Sequence, residues 1–228
     1  TRFNSSVTDI FRNEYLSPRS PYTTLQIPKQ GIGEWCHPLH TVDINDAGLR
    51  SSVQNGILNT ELGIPFRTPA EGYNVAFTSL WDNYPDSLEI PLKGKASRAY
   101  LLMAGSTNHM QCHIDNGVIR VYYKDGSCDV MSLRNPDNWP PIEHIFFEDG
   151  LAFNRHTPAL YRLRLKTGEI SNNFGEELGF PGASRELDGG AAILLEMSLN
   201  PDKKLSHLVL ETLSNDVVIG LMGITLQR

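Results

Sequence analysis

From residue 73 onward, apolar stretches of four to ten residues alternate with turn residues, and no segment of helical spacing separates them. The candidate strands are Val75–Leu80, Ser87–Leu92, Ala96–Ala104, Met110–Ile114, Val118–Tyr123, Cys128–Leu133, Ile142–Phe147, Tyr161–Leu165, Ala191–Leu199, His207–Leu213 and Val217–Leu226. Parallel strands need long crossovers, usually helices. Their absence leaves an all-β fold, an antiparallel β-sandwich or barrel.

The first 72 residues read differently. Val7, Ile10, Phe11 and Tyr15 fall near helical spacing, Ser6 or Thr8 can cap the start, and Pro18 and Pro21 end the segment. Residues 17–72 are rich in Gly, Pro and polar residues, with short apolar pieces at Leu25–Ile27 and Ile64–Phe66. The expectation is a helical or irregular N-terminal extension, residues 1–72, packed on a sandwich of residues 73–228, one structural domain overall. Six glycines between Gly168 and Gly190 predict one long loop, and such loops are often functional.

Composition removes several classes. Lys and Arg number 20 against 26 Asp and Glu, a net charge of −6, and no basic cluster can follow a phosphate backbone, so no nucleic-acid partner is expected. The longest apolar run, Val217 to Ile224, is too short for a bilayer. The chain opens at Thr1 and reads as a piece of a longer polypeptide. Three cysteines, Cys36, Cys112 and Cys128, do not describe a disulfide framework.

Asn116-Gly117 and Asp125-Gly126 are both two-residue hairpin signals. Together they predict a three-stranded meander. One face would hold Met110, Cys112, Ile114, Ile119, Val121, Tyr123, Cys128 and Val130 as core. The other would gather His109, Gln111, His113, Arg120, Tyr122, Asp129 and Met131. In that register Cys112 and Cys128 are free, buried thiols, about 10 Å apart across a central strand.

No catalytic residue or metal ligand is expected. His109 and His113 have a zinc-peptidase spacing, but without the Glu and on a strand they stand about 13 Å apart. Asp43-Ile44-Asn45-Asp46 lacks the Gly and Glu of a calcium loop, so a turn is favoured over a structural calcium, and no cofactor is expected. Glu34, Asp82, Asp86, Glu143, Glu148 and Asp149 are candidates for a glycosidase carboxylate pair, though no signature selects any. Trp81-Asp82-Asn83-Tyr84 combines flat apolar surface with groups that bond hydroxyls, which a sugar site needs. Trp139-Pro140-Pro141 reads as a structural corner first. The expected ligand-binding residues are Trp81, Asp82, Asn83 and Tyr84, with Gln111, His113, Arg120 and Tyr122 on the meander face.

Ser17–Glu34 with Trp35-Cys36-His37-Pro38, Phe77–Leu92, Ala96–Gln111, Leu133–Trp139 and Leu213–Arg228 together resemble the C-terminal region of large proteins from glycan-degrading bacteria. In those proteins the region follows a glycosidase-like α/α-toroid part. The resemblance covers nearly the whole chain and implies a jelly-roll-like or galactose-binding-like sandwich. It further implies a non-catalytic accessory module in the periplasm or outside the cell. Such a module binds carbohydrate or packs against a catalytic domain of the same polypeptide. The alternative is a glycoside hydrolase using a carboxylate pair.

Overall fold

The computed structural model describes residues 3–12, 44–80, 84–108, 111–145, 154–179, 185–214 and 217–228. Three short helices are α1 (Val7–Arg12), α2 (Ala47–Ser51) and α3 (Phe174–Glu177). The early strands are β1 (Val53–Gln54), β2 (Ile57–Asn59) and β3 (Pro65–Arg67). There follow β4 (Ala76–Ser79), β5 (Ser87–Pro91), β6 (Arg98–Met103), β7 (Ser106–Thr107), β8 (Asp115–Tyr123) and β9 (Cys128–Arg134). The last are β10 (Arg162–Arg164), β11 (Ile170–Ser171), β12 (Ala191–Ser198), β13 (Leu205–Thr212) and β14 (Val217–Gln227).

The fold is mostly β, and every pairing between these strands is antiparallel. The largest sheet has the order β11-β10-β12-β6-β14-β4, with β7 also on β14. A second sheet runs β5-β13-β8-β9, and a small third one β1-β2-β3. Ala99, Leu101, Met103, Ile193, Leu195, Ile219 and Leu221 of the first sheet share one apolar cluster with Ile119, Val121, Leu208 and Leu210 of the second. This is a sandwich-like arrangement. On the opposite face of the first sheet, Leu102, Ala104, Ala192, Leu194, Val218 and Met222 meet Val7, Ile10, Leu49, Leu58 and Phe66. The central strands are therefore covered on both faces, which explains why β12 and β14 read as near-continuous apolar text.

Parity along β14 shows how both clusters are served. Val217, Ile219 and Leu221 face one cluster and Val218 and Met222 the other. A register shift between Leu221 and Gly223 against β6 then turns Ile224 and Leu226 back to the first, as an inserted residue must. α1 begins as the cap chemistry predicts: the Ser6 hydroxyl accepts the Asp9 N–H at 3.1 Å and donates to its carboxylate at 2.8 Å. No helix among the described residues is long and apolar enough to cross a membrane.

Several sequence expectations are corrected. Asn116-Gly117 is not a turn; β8 runs through it. Asn116 is buried, accepting from the Thr107 hydroxyl at 2.6 Å and donating to the Gln111 and Ile114 carbonyls at 3.1 and 3.2 Å. At Gly117 a Cβ would lie 2.2 Å from Ile219 Cδ1. This Asn-Gly pair thus serves burial and close sheet approach. The Asp125-Gly126 turn exists with a three-residue loop, closed by Tyr123 N–H to Ser127 O at 2.8 Å and with Gly126 at φ 87°. Tyr122 consequently lies opposite Cys128, one residue from the predicted register. That single slip inverts β9: Val130 is 57% exposed and Cys128 exposed, while Leu133 is buried.

Residues 111–114 form no strand, and neither do residues 142–145. Residues 44–72, expected to be irregular, carry α2 and the third sheet. Its β1–β2 hairpin turns at Asn55-Gly56, both at positive φ (52° and 75°), the two-residue geometry for which Asn-Gly is suited. The predicted loop after Gly168 contains β11 and α3.

Two outcomes follow. Gly220→Ala places a Cβ 2.4 Å from the Ala104 carbonyl oxygen and 2.5 Å from Val75 Cγ1, so chemical denaturation should show a loss of about 1–3 kcal/mol. In a Cys36→Ser background, a thiol reagent should label exposed Cys128 quickly in the native protein. Cys112, half-buried with its thiol pushed up to about 11 by burial, should react slowly until unfolding. Equal rates would contradict the register.

Candidate functional site

The predicted binding residues that the structure describes stand in three separate places: Tyr84, the Gln111–His113 pair and the Arg120–Tyr122 pair. Trp81, Asp82 and Asn83 lie outside the described residues. Tyr84 is half-buried, its ring edge-on to Phe77 at 4.4 Å and its hydroxyl 3.2 Å from that of Ser5, so it ties the N-terminal segment to β4. Arg120 and Tyr122 project from the outer face of the second sheet, but their neighbours differ from expectation. Arg120 pairs with Glu211, and Tyr122 stacks on His207 with centroids 4.8 Å apart and planes at 16°. Asp129 instead accepts from the Tyr123 hydroxyl. Gln111 and His113 precede β8 at its far end. Asp115 to Arg120 alone spans five residues of strand, about 17 Å, so the two pairs do not meet around one sugar ring.

The other motifs have structural roles. Trp139 is fully buried in the inter-sheet cluster. Asn45 accepts the Ala47 N–H at 2.9 Å, and the Asp46 carboxylate binds Arg50 Nε at 2.9 Å and Asn74 Nδ2 at 2.8 Å, which is turn chemistry.

A cavity of about 430 Å³ opens where the β9–β10 connection meets the β11–α3 segment. Pro136, Pro140, Ile145, Leu160 and Phe174 give it an apolar wall. Arg155, Arg162 and Arg185, with Ser171, Asn172 and Asn173, give it a polar one. Glu176 is the sole carboxylate among its described lining residues and accepts from Asn173 Nδ2 at 2.8 Å. Among the described lining residues, three guanidiniums thus stand beside one carboxylate.

Arg162 anchors this region. Its guanidinium donates to the carbonyls of His144 (2.7 Å), Pro141 (2.9 Å), Ile142 (3.0 Å) and Ala191 (3.3 Å), binding the 141–144 turn to β12. Its Nε is buried without a hydrogen-bond partner among the described residues. Behind it, buried Glu143 accepts from the Ser106 hydroxyl at 3.1 Å. Burial pushes the Glu143 carboxyl up to about 7, although its own backbone N–H, Ser106 and the Arg162 charge oppose this. Burial likewise brings Arg162 down to about 10.

Next to the pocket, His113 meets Asp137 and His156, which no sequence spacing links to it. One ligating atom from each lies within 4.8 Å of the others. The signal that pointed toward this end was the Gly-rich segment after Gly168; Arg162 alternates with Leu163 and Arg164 in the sequence, so nothing there marked it as the buried one. Compared with known proteins, the chain matches no family model, no curated protein and no solved structure.

Glu143 generates a pH prediction. A carboxyl raised in the fold contributes stability that is fully present below its ordinary value near 4.5 and lost as pH rises through about 7. Glu143→Gln keeps an acceptor for Ser106 and removes that loss. The stability of the variant relative to wild type should therefore increase by on the order of 3 kcal/mol between pH 4.5 and 8. Denaturant melts across that range check it, and a constant difference would contradict it.

Proposed function

We propose that this chain is a non-catalytic accessory module of a glycan-processing protein, exported with it, whose arginine-lined pocket binds an acidic sugar unit. In this reading the two packed sheets form a jelly-roll-like, galactose-binding-like scaffold, and the ligand enters at the loops on one end. The observation that carries the reading is the lining: apolar Pro136, Pro140, Leu160 and Phe174 on one side, three arginines and two asparagines on the other. A pyranose has the same division, with an apolar C–H face and a rim of hydroxyls. A carboxylate or sulfate on that rim suits Arg155 and Arg185, whose planar forks match such groups, while Arg162 holds the wall behind them through its four carbonyl bonds. The volume falls within the range of small-ligand pockets.

The alternative, a glycoside hydrolase, needs two carboxylates about 5–9.5 Å apart across a cleft. The outer face that carries Arg120 and Tyr122 is a sheet surface, whereas the pocket is concave, as small-ligand sites are.

A glycan array followed by calorimetry tests the proposal. The hits should be uronate-bearing or sulfated glycans, weakened by salt. Arg185→Ala or Asn173→Ala should reduce affinity by about tenfold or more, whereas Tyr122→Ala should leave it unchanged. Hits confined to neutral glycans, or affinity lost with Tyr122→Ala alone, would overturn it.

A further inference from the structure

We infer that His113, Asp137 and His156 form a binding site for a divalent transition-metal ion, zinc first among them. The three residues come from separate segments: the loop before β8, the turn after β9 and the connection leading to β10. Hydrogen bonds that need no ion hold these segments together. His113 N–H donates to the Asn135 carbonyl at 2.7 Å, His156 N–H to Asp137 Oδ1 at 2.7 Å, and the Thr157 hydroxyl to the Asp137 carbonyl at 2.8 Å. The donor set is thus assembled before a metal arrives.

Its dimensions suit tetrahedral coordination. His156 Nδ1 lies 3.4 Å from Asp137 Oδ1. Two ligands bound at about 2.1 Å with a tetrahedral angle between them are about 3.4 Å apart. The His113 and His156 rings have centroids 4.8 Å apart and planes tilted by 51°, so they are not stacked flat on each other. All three ligating atoms lie within 4.8 Å, and the exposed imidazoles can close the remaining distance by side-chain rotation.

The donor chemistry selects the ion. Two imidazoles and one carboxylate suit zinc and its first-row neighbours, whereas calcium and magnesium require oxygen ligands. Three protein ligands leave a fourth position for water or an exogenous oxygen. Asp137 follows Pro136, and His156 follows Arg155, and both preceding residues line the arginine-lined pocket. The ion therefore stands at the edge of that pocket and adds positive charge there.

The test uses the whole chain, stripped of metal by a chelator, with zinc alone as probe. Competition against a chromophoric chelator should give one equivalent bound, and cobalt should give the intense visible spectrum of a tetrahedral site. His113→Ala and His156→Ala should each weaken zinc at least tenfold and abolish the cobalt spectrum. Asp137→Asn, which retains an acceptor for the His156 N–H, should weaken zinc without lowering the melting temperature of the metal-free protein. His207→Ala, on the distant sheet face, should change neither. Absence of stoichiometric zinc, or zinc binding unaltered by all three site variants, would overturn the assignment.

Discussion

Burial of β14 and its partners on both faces is the constraint from which the rest of the molecule follows. A strand covered on one side only can alternate polar and apolar residues. A strand covered on both must be apolar throughout, and its neighbours must supply two separate clusters. β6, β12 and β14 do this, dividing their side chains between the second sheet and the N-terminal layer. Where side chains would hold the layers apart, glycine stands instead. Gly220 lies against Val75, and Gly223 lies under Phe66 of β3, where an added Cβ would come within 3.0 Å of Phe66 Cβ. The N-terminal layer is therefore a component of the core.

A sheet so covered leaves little open face for function. The second sheet's outer face is open, but its polar groups engage one another through Arg120–Glu211 and Tyr122–His207. Concave polar surface is consequently found at the ends of the strands, where connections carry polar groups that need not pair across a sheet. At the β9–β10 end a buried guanidinium, Arg162, supplies the rigidity such a site requires. It fastens the 141–144 turn to β12 through four carbonyls, and Phe174 closes the other side from a small cluster with Leu187 and Ala191.

Most of the strand positions were legible in the sequence because apolar runs bounded by turns have few other interpretations. The faces were less legible, and two Asn-Gly pairs show why. Asn55-Gly56 makes a two-residue turn because both residues adopt positive φ. Asn116-Gly117 sits mid-strand because the amide is buried among Thr107, Gln111 and Ile114 and the glycine admits Ile219. The same two letters answer local backbone geometry in one place and tertiary packing in the other. The loop length at Gly126 had a similar effect: one residue more than predicted moved Cys128 and Val130 from core to surface. The pocket and the His113–Asp137–His156 cluster were hidden for another reason. Their members are brought together by chain connections whose spacing carries no period.

The central claim is that recognition occurs at the strand ends, in the arginine-lined cavity, and not on the sheet face. Amide chemical-shift mapping with an acidic oligosaccharide tests it most directly. The predicted result is a contiguous set of saturable shifts at Arg155, Arg162, Ser171, Asn172, Asn173 and Arg185, with Arg120, Tyr122 and His207 silent. Saturable shifts centred on Arg120, Tyr122 and His207, with the cavity residues silent, would contradict it.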